Sequence, residues 1–297
     1  MSQILTLVAP KGGLDPALLP RLRDALQGLG AGTGAVDWLA PEEAADLPFD
    51  GLAAEQAVAA ARAALDGDPV DAIAVPAEGR RKRLLLADMD STIVTSETLD
   101  EIAAYAGLKE EIAAITRRSM NGELDFRQAL IERVGMLQGL PVAALERTWE
   151  ATALTPGARE LVATMRANGA HCALVSGGFT FFTGRVAALV GFHAHHSNTL
   201  EIADGRLTGK VGEPILDRDA KLATLKRLAA ELSLPLAAAL AVGDGANDLA
   251  MIQAAGLGVA FRAKPVVAAA ARARIEQADL RALLFVQGYR AAEIQGG

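Results

Sequence analysis

The stretch Leu84-Leu85-Leu86-Ala87-Asp88-Met89-Asp90-Ser91-Thr92 decides how the rest of this 297-residue chain is read. Three leucines and an alanine in succession predict a strand buried on both faces, the habit of a parallel sheet covered by helices. The strand ends on two carboxylates, two residues apart. At the mouth of a sheet Asp88 and Asp90 repel each other and lose water together. A divalent cation offsets that cost, and hard oxygen ligands suit Mg²⁺. An Asp-x-Asp at a strand end therefore marks a place for metal-assisted chemistry. Taken alone, the same letters also describe a solvated acidic turn.

Working outward, the pattern recurs. Residues 171–175 read as a strand followed by Ser176-Gly177-Gly178, a turn into a helix that runs to about Val190. Residues 239–242 read as a strand followed by Gly243-Asp244-Gly245, and 257–260 as a further short strand. Helices are predicted at 158–168 and 218–232, and a hairpin at 200–211 around Asp204-Gly205. Strands alternating with helices predict an open, Rossmann-like parallel sheet. Sites in such sheets lie at the carboxyl ends of the strands. Asp88, Asp90, Ser176 and Asp244 all fall there, which independent acidic turns would not require. Residues 97–150 carry helical signal throughout, with one break at Asn121-Gly122.

Ahead of Leu84 the order is strand 3–9, helix 15–28, strand near 36–39, helix 53–66 and strand 70–75, a small helix-on-sheet unit. Pro76 to Arg83, with the run Arg80-Arg81-Lys82-Arg83, reads as a solvated linker.

Composition narrows the function. The chain is 51% hydrophobic but only 4% aromatic, which suits aliphatic helices packed on a sheet. Its formal charge of −7 gives no basic footprint for nucleic acid. One cysteine, Cys172, cannot form an internal disulfide and sits in an apolar run. There is no unbroken run of eighteen apolar residues and no leader pattern, so no membrane partner and a cytoplasmic location are expected. His193, His195 and His196 fall in an expected loop away from the strand ends and are set aside as a metal site. Trp38 and Trp149 read as packing residues.

Four segments in order, Asp88-Met89-Asp90-Ser91-Thr92, Ser176-Gly177-Gly178, Lys221, and Gly243-Asp244-Gly245-Ala246-Asn247-Asp248, resemble the motifs of the haloacid dehalogenase superfamily. The finer resemblance is to the phosphoserine phosphatase family, over roughly residues 84–265. It implies an α/β fold with a helical cap inserted after the first strand at about 97–153, inside a phosphatase domain spanning 81–297. Residues 1–80 resemble, in element order only, a small α+β ACT-like domain with its linker. A homodimer through that domain is left open.

The resemblance also implies roles. Asp88 is the nucleophile, forming an aspartyl-phosphate that divides a difficult hydrolysis into two steps. Asp90 protonates the leaving serine oxygen and then activates water. Mg²⁺ is held by Asp88, the carbonyl of Asp90, and Asp244, with Asp248 supporting that geometry. Ser176, Gly177, Gly178, Lys221 and Asn247 bind phosphate, helped by the helix start expected after Gly178. Glu97 pairs with the substrate ammonium, Arg133 with its carboxylate, and Met120 and Phe126 form an apolar wall. The implied activity is hydrolysis of phosphoserine, the last step of serine synthesis. Two other readings keep parts of the same residues. A phosphotransferase would deliver the phosphoryl group to an alcohol such as homoserine. A non-catalytic amino-acid sensor would leave the acidic residues free to drift. An ion-pumping ATPase shares similar motifs but needs membrane helices.

Overall fold

The computed structural model describes residues 2–297 except Gly122. The expected break at Asn121-Gly122 is therefore described only at Asn121, and the side chains of Met120 and Arg218 lie outside the described residues. The chain forms two compact units. One gathers residues up to Arg83 with Pro156–Ala170 and Arg272–Gly297, and the other gathers Leu84–Thr155 with His171–Ala271. Elements are numbered along the whole chain.

In the first unit the order is β1 (Gln3–Val8), α1 (Leu18–Gln27), β2 (Gly32–Thr33), β3 (Asp37–Ala40), β4 (Ala44–Asp50), α2 (Ala54–Leu65) and β5 (Asp71–Pro76). Strand β1 lies between β4 and β5, antiparallel to both. This is a split βαβ arrangement. Buried leucines at 18, 19, 22 and 26 give α1 one apolar stripe, which packs with Ala57, Ala61 and Leu65 of α2 over Leu5, Leu7 and Leu47.

Strand β4 was not expected, and it carries Pro48, a residue that argues against an inner strand. Pro48 falls where the partner strands leave a gap. Strand β2 pairs with Phe49 and Asp50, while β3 pairs with Ala44, Ala45 and Asp46. The Pro48 carbonyl accepts from the Gly34 amide at 2.8 Å, one residue beyond the end of β2.

The basic run is the expected solvated linker only in part: Arg81 and Arg83 are exposed, but Arg80 is drawn into the first unit. Arg80 grips both oxygens of Asp46 at 2.6 and 3.0 Å and also donates to Thr6 Oγ1 and the carbonyls of Phe285 and Val286. Arg81 pairs with Glu293 at 2.6 Å and stands 4.1 Å over the Tyr289 ring. Asp71, also buried, accepts from three successive amides, those of Glu276, Gln277 and Ala278.

The second unit starts with β6 (Leu84–Ala87), whose four residues are fully buried. A helical insert follows: α3 (Thr98–Ala104), α4 (Lys109–Met120), α5 (Phe126–Gly135) and α6 (Ala143–Ala151). Helix α7 (Ala158–Ala167) belongs to the first unit. Then come β7 (His171–Phe179), α8 (Thr180–Val190), β8 (Ala194–Asn198), the hairpin β9 (Leu200–Ala203) and β10 (Arg206–Val211), α9 (Arg218–Glu231), β11 (Ala239–Gly243), α10 (Leu249–Ala254) and β12 (Leu257–Phe261).

The parallel strands run in the order β12-β11-β6-β7-β8. Strand β6 thus has later strands on both sides, and the crevice of such a sheet opens at its carboxyl end. Leu84, Leu86, Ala173, Val175, Ala239 and Ala241 pack under Leu225, Leu228 and Met251 from α9 and α10.

Two local expectations change. Strand β7 continues through Phe179 and α8 begins only at Thr180, so Ser176 does not cap a helix start. His195 and His196 lie in edge strand β8, not in a loop; His195 bonds Thr183 and His196 lies 3.4 Å from Arg227. Among the described residues no helix is long and apolar enough to cross a membrane.

Candidate active site

Asp88 follows β6 directly, and its amide donates to Val242 of β11 at 2.9 Å. The chain then turns sharply. Asp90 is extended (φ −65°, ψ 137°), but Ser91 is left-handed (φ 54°, ψ 5°), an uncommon state for a residue with a Cβ. The Ser91 hydroxyl donates to Glu97 Oε1 at 2.7 Å, and the Thr98 amide donates to Asp90 Oδ1 at 2.8 Å. The start of α3 is thereby tied back to the acidic turn.

Register brings the other strand ends alongside. Ala87 lies opposite Leu174 of β7 and Val242 of β11, so Asp88, Ser176 and Asp244 share one edge. Ser176 Oγ donates to Asp90 Oδ2 at 3.1 Å and accepts from the Gly178 amide at 2.8 Å. Close approach explains both glycines. A Cβ on Gly177 would lie 2.5 Å from Cζ of Phe126, and one on Gly178 would lie 2.8 Å from Asp90 Oδ2.

Lys221 sits in the first turn of α9 with no exposed surface. Its ammonium lies 2.8 Å from Asp88 Oδ1 and 2.6 Å from Asp248 Oδ1. Burial opposes its charge, but the Asp248 and Asp88 carboxylates outweigh burial and push its pKa above the ordinary lysine value. The other Asp248 oxygen accepts from the amides of Asp244 and Gly245. Asp244 Oδ2 is buried and accepts no hydrogen bond among the described residues, and Lys264 Nζ stands 3.5 Å from it.

Carboxylate oxygens of Asp88, Asp244 and Asp248 all lie within 4.8 Å of one another. Burial, and then the charge of Asp248, raises the pKa of Asp88 well above the carboxylate range; Lys221 works against this. Burial and the charge of Glu97 do the same to Asp244. Asp90 is pushed up to about 6, first by burial and then by Glu97, against the bonds from Thr98 and Ser176. Crowded acids with an orphaned hard oxygen fit one divalent cation of the Mg²⁺ type.

From the insert, Glu97, Phe126 and Arg133 reach the same cavity, which also takes in Thr98, Leu99 and Leu130 and is small, about 30 Å³. Arg133 is buried. It donates to the Ala129 carbonyl and to Thr116 Oγ1, which in turn donates to Asp100 at 2.6 Å. Among the described residues it has no carboxylate within ion-pair distance. Burial lowers its pKa, and Asp100 partly restores it. Asn247 also lines the cavity, and its Oδ1 is buried without a partner among the described residues. The geometry thus gathers Asp88, Asp90, Glu97, Phe126, Arg133, Ser176, Gly177, Gly178, Asp244 and Asn247, with Lys221 and Asp248 behind them; Met120's side chain lies outside the described residues.

Sequence reasoning missed Ser91 as the Glu97 partner, Thr116 and Asp100 behind Arg133, and Lys264 beside Asp244. None of these pairs has a local spacing that announces it.

A parallel sheet with a switch point at an Asp-x-Asp strand end, backed by a buried lysine, defines a class of hydrolase. The chain belongs to the haloacid dehalogenase-like hydrolase family, whose model matches residues 85–253. Within that family it is similar to phosphoserine phosphatases. The phosphoserine phosphatase of Streptomyces coelicolor is 40% identical over 257 residues, covering 86% of this chain and 63% of the relative. A crystal structure of a HAD-family hydrolase from Salmonella enterica serovar Typhi matches 96% of this chain and 98% of its own, at 31% identity and a TM-score of 0.82. A phospho-aspartyl intermediate analogue of a phosphoserine phosphatase matches 69% of this chain and 98% of its own, at 40% identity and a TM-score of 0.67. The chain spans about three fifths of the length of the curated relatives from S. coelicolor and Archaeoglobus fulgidus.

Proposed function

We propose that this chain is a Mg²⁺-dependent phosphatase that hydrolyses O-phosphoserine to serine and phosphate through an aspartyl-phosphate on Asp88. One observation carries the reading: the two carboxylates of a single strand end stand in different surroundings. Asp88 faces the Lys221 ammonium, whereas Asp90 is held by Ser176 and Thr98 with a pKa of about 6. Two carboxyls in distinct surroundings, one against an ammonium and one held by hydroxyl and amide donors, suit a nucleophile and a proton carrier.

In the first step an Asp88 oxygen attacks phosphorus, and Asp90 protonates the departing serine oxygen. In the second, Asp90 takes a proton from water as that water attacks the same phosphorus and frees Asp88. Ser176 and the Gly178 amide hold phosphate oxygens, as does Asn247, while Lys221 keeps Asp88 aligned. Asp88, Asp244 and the Asp90 carbonyl would hold Mg²⁺, with Asp248 fixing their placement. Bound there, Mg²⁺ supplies the charge that keeps Asp88 ionised and draws electron density from phosphate oxygens.

The insert at about 97–153 acts as a cap that selects the alcohol. Arg133, a buried cation without a carboxylate partner among the described residues, fits the substrate carboxylate. Glu97, held by Ser91, fits the ammonium, and Phe126 closes the apolar side. The domain reading keeps 81–297 as the phosphatase domain, although Pro156–Ala170 and Arg272–Gly297 pack in the first unit, and 1–80 as an ACT-like domain, its βαβ order being the supporting feature.

The test is phosphate release from phosphoserine, phosphothreonine and an aryl phosphate, with and without Mg²⁺. Asp88→Asn should abolish release from all three, and full activity in that variant would remove Asp88 as nucleophile. Arg133→Ala should lose about tenfold or more on phosphoserine and far less on the aryl phosphate. An equal loss on all three would overturn the carboxylate assignment.

A further inference from the structure

We infer that Asn198 is a positioning residue that fixes the peptide plane of the phosphate-binding turn; the inference rests on the phosphatase reading above. Asn198 ends β8, outside every segment that carries a site residue, and is buried. Its side-chain amide directs both donors and its oxygen to main chain. It donates to the Gly177 carbonyl at 2.8 Å and to the Leu216 carbonyl at 3.2 Å, and accepts from the Leu216 amide at 2.6 Å.

The Gly177 carbonyl and the Gly178 N–H belong to one planar peptide unit and point opposite ways. Holding the carbonyl therefore aims the N–H. That N–H donates to Ser176 Oγ, which donates to Asp90 Oδ2. The result is one continuous hydrogen-bonded chain from the Leu216 backbone, through Asn198 and the 177–178 peptide, to Asp90. Such chains polarise and stiffen each other's bonds.

The turn needs this outside support. Neither glycine has a side chain to restrict its backbone. No Cβ can replace them, because Phe126 and Asp90 fill that space. The β7–β8 ladder gives no substitute: its register shifts between Val175 and Phe179, the interval that contains Ser176, Gly177 and Gly178. Asn198 stands opposite Phe179, where the pairing resumes, and reaches back across the gap.

The experiment measures inorganic phosphate binding by calorimetry in the presence of Mg²⁺, beside kcat and KM on phosphoserine, in the full chain. Two variants are used. Asn198→Ala removes all three bonds. Asn198→Asp is isosteric and keeps the bond from the Leu216 amide while losing the donors to the Gly177 and Leu216 carbonyls. In both, phosphate binding should weaken about tenfold, and kcat should fall more than KM changes. Thr180→Val, which removes the Thr180 hydroxyl and its 2.9 Å bond to the Asn198 carbonyl but leaves the three side-chain bonds of Asn198 intact, should leave phosphate binding unchanged. Phosphate binding within twofold of wild type in a folded Asn198 variant would overturn the inference. So would failure of both variants to fold, which would make Asn198 a residue of the fold alone. A wild type that binds phosphate but does not release it from phosphoserine would instead sink the substrate reading and leave the Asn198 comparison intact.

Discussion

Asp88 and Asp248 share the single ammonium of Lys221, and all three groups are buried. Lys221→Met would leave the two carboxylates facing each other, and removing one partner from a buried pair costs about 3–5 kcal/mol. Urea unfolding without divalent cation measures this directly, and an unchanged midpoint would mean water already screens the pair. Asp90 offers a second measurement. Its pKa of about 6 is raised by burial and then by Glu97. Glu97→Gln removes the second cause, so the limb of the kcat profile that reports Asp90 should move to lower pH. A limb that stays in place would belong to another group. At this scale the sequence was legible wherever a residue follows a strand end or sits in the first turn of a helix, as Asp88, Asp244 and Lys221 do; Ser176 was legible from its Ser-Gly-Gly run although β7 continues past it. Asn198, Lys264 and Thr116 were not legible, because each meets its partner only after the chain has folded back.

Elements constrain one another at the glycine turn. The Phe126 ring at the head of α5 rests where a Cβ on Gly177 would be, 2.5 Å from Cζ. Gly177→Ala should push α5 outward. Overpacking of this kind costs about 1–3 kcal/mol, and KM for phosphoserine should rise while the aryl phosphate is less affected. Equal KM values in variant and wild type would show that the insert adjusts freely. The hairpin read from Asp204-Gly205 gains a purpose here. Leu207 exchanges main-chain bonds with Gly139 and Leu140 between α5 and α6, and Val142 donates to Gly205. Strands β6, β7, β11 and β12 could be read from apolar runs because both faces are covered. Strand β4 could not, since its proline is harmless only in a gap that β2 and β3 create together. The end of β7 was misplaced because Ser-Gly-Gly looks like a turn in any setting, and only the β8 pairing at Phe179 shows otherwise.

Over the whole molecule, the first unit rests on polar clasps between segments far apart in sequence. Arg80 and Asp46 are mostly buried, and Arg80 spans β1, β4 and the carbonyls at 285 and 286. Arg80→Ala should cost about 3–5 kcal/mol by stranding Asp46, read as an earlier denaturant transition; no change would place that clasp outside the cooperative unit. The linker composition marks one crossing between units, at Arg83. The returns at Pro156 and Arg272 carry no comparable signal, because amphipathic helices and short strands look alike whichever body they join. The three amides held by Asp71 have a consequence for synthesis. Asp71 leaves the ribosome some two hundred residues before Glu276, Gln277 and Ala278 exist to meet it. Until then a carboxylate destined for burial stays open to water, and the nascent amino-terminal sheet must wait, unfinished, while the catalytic unit is translated.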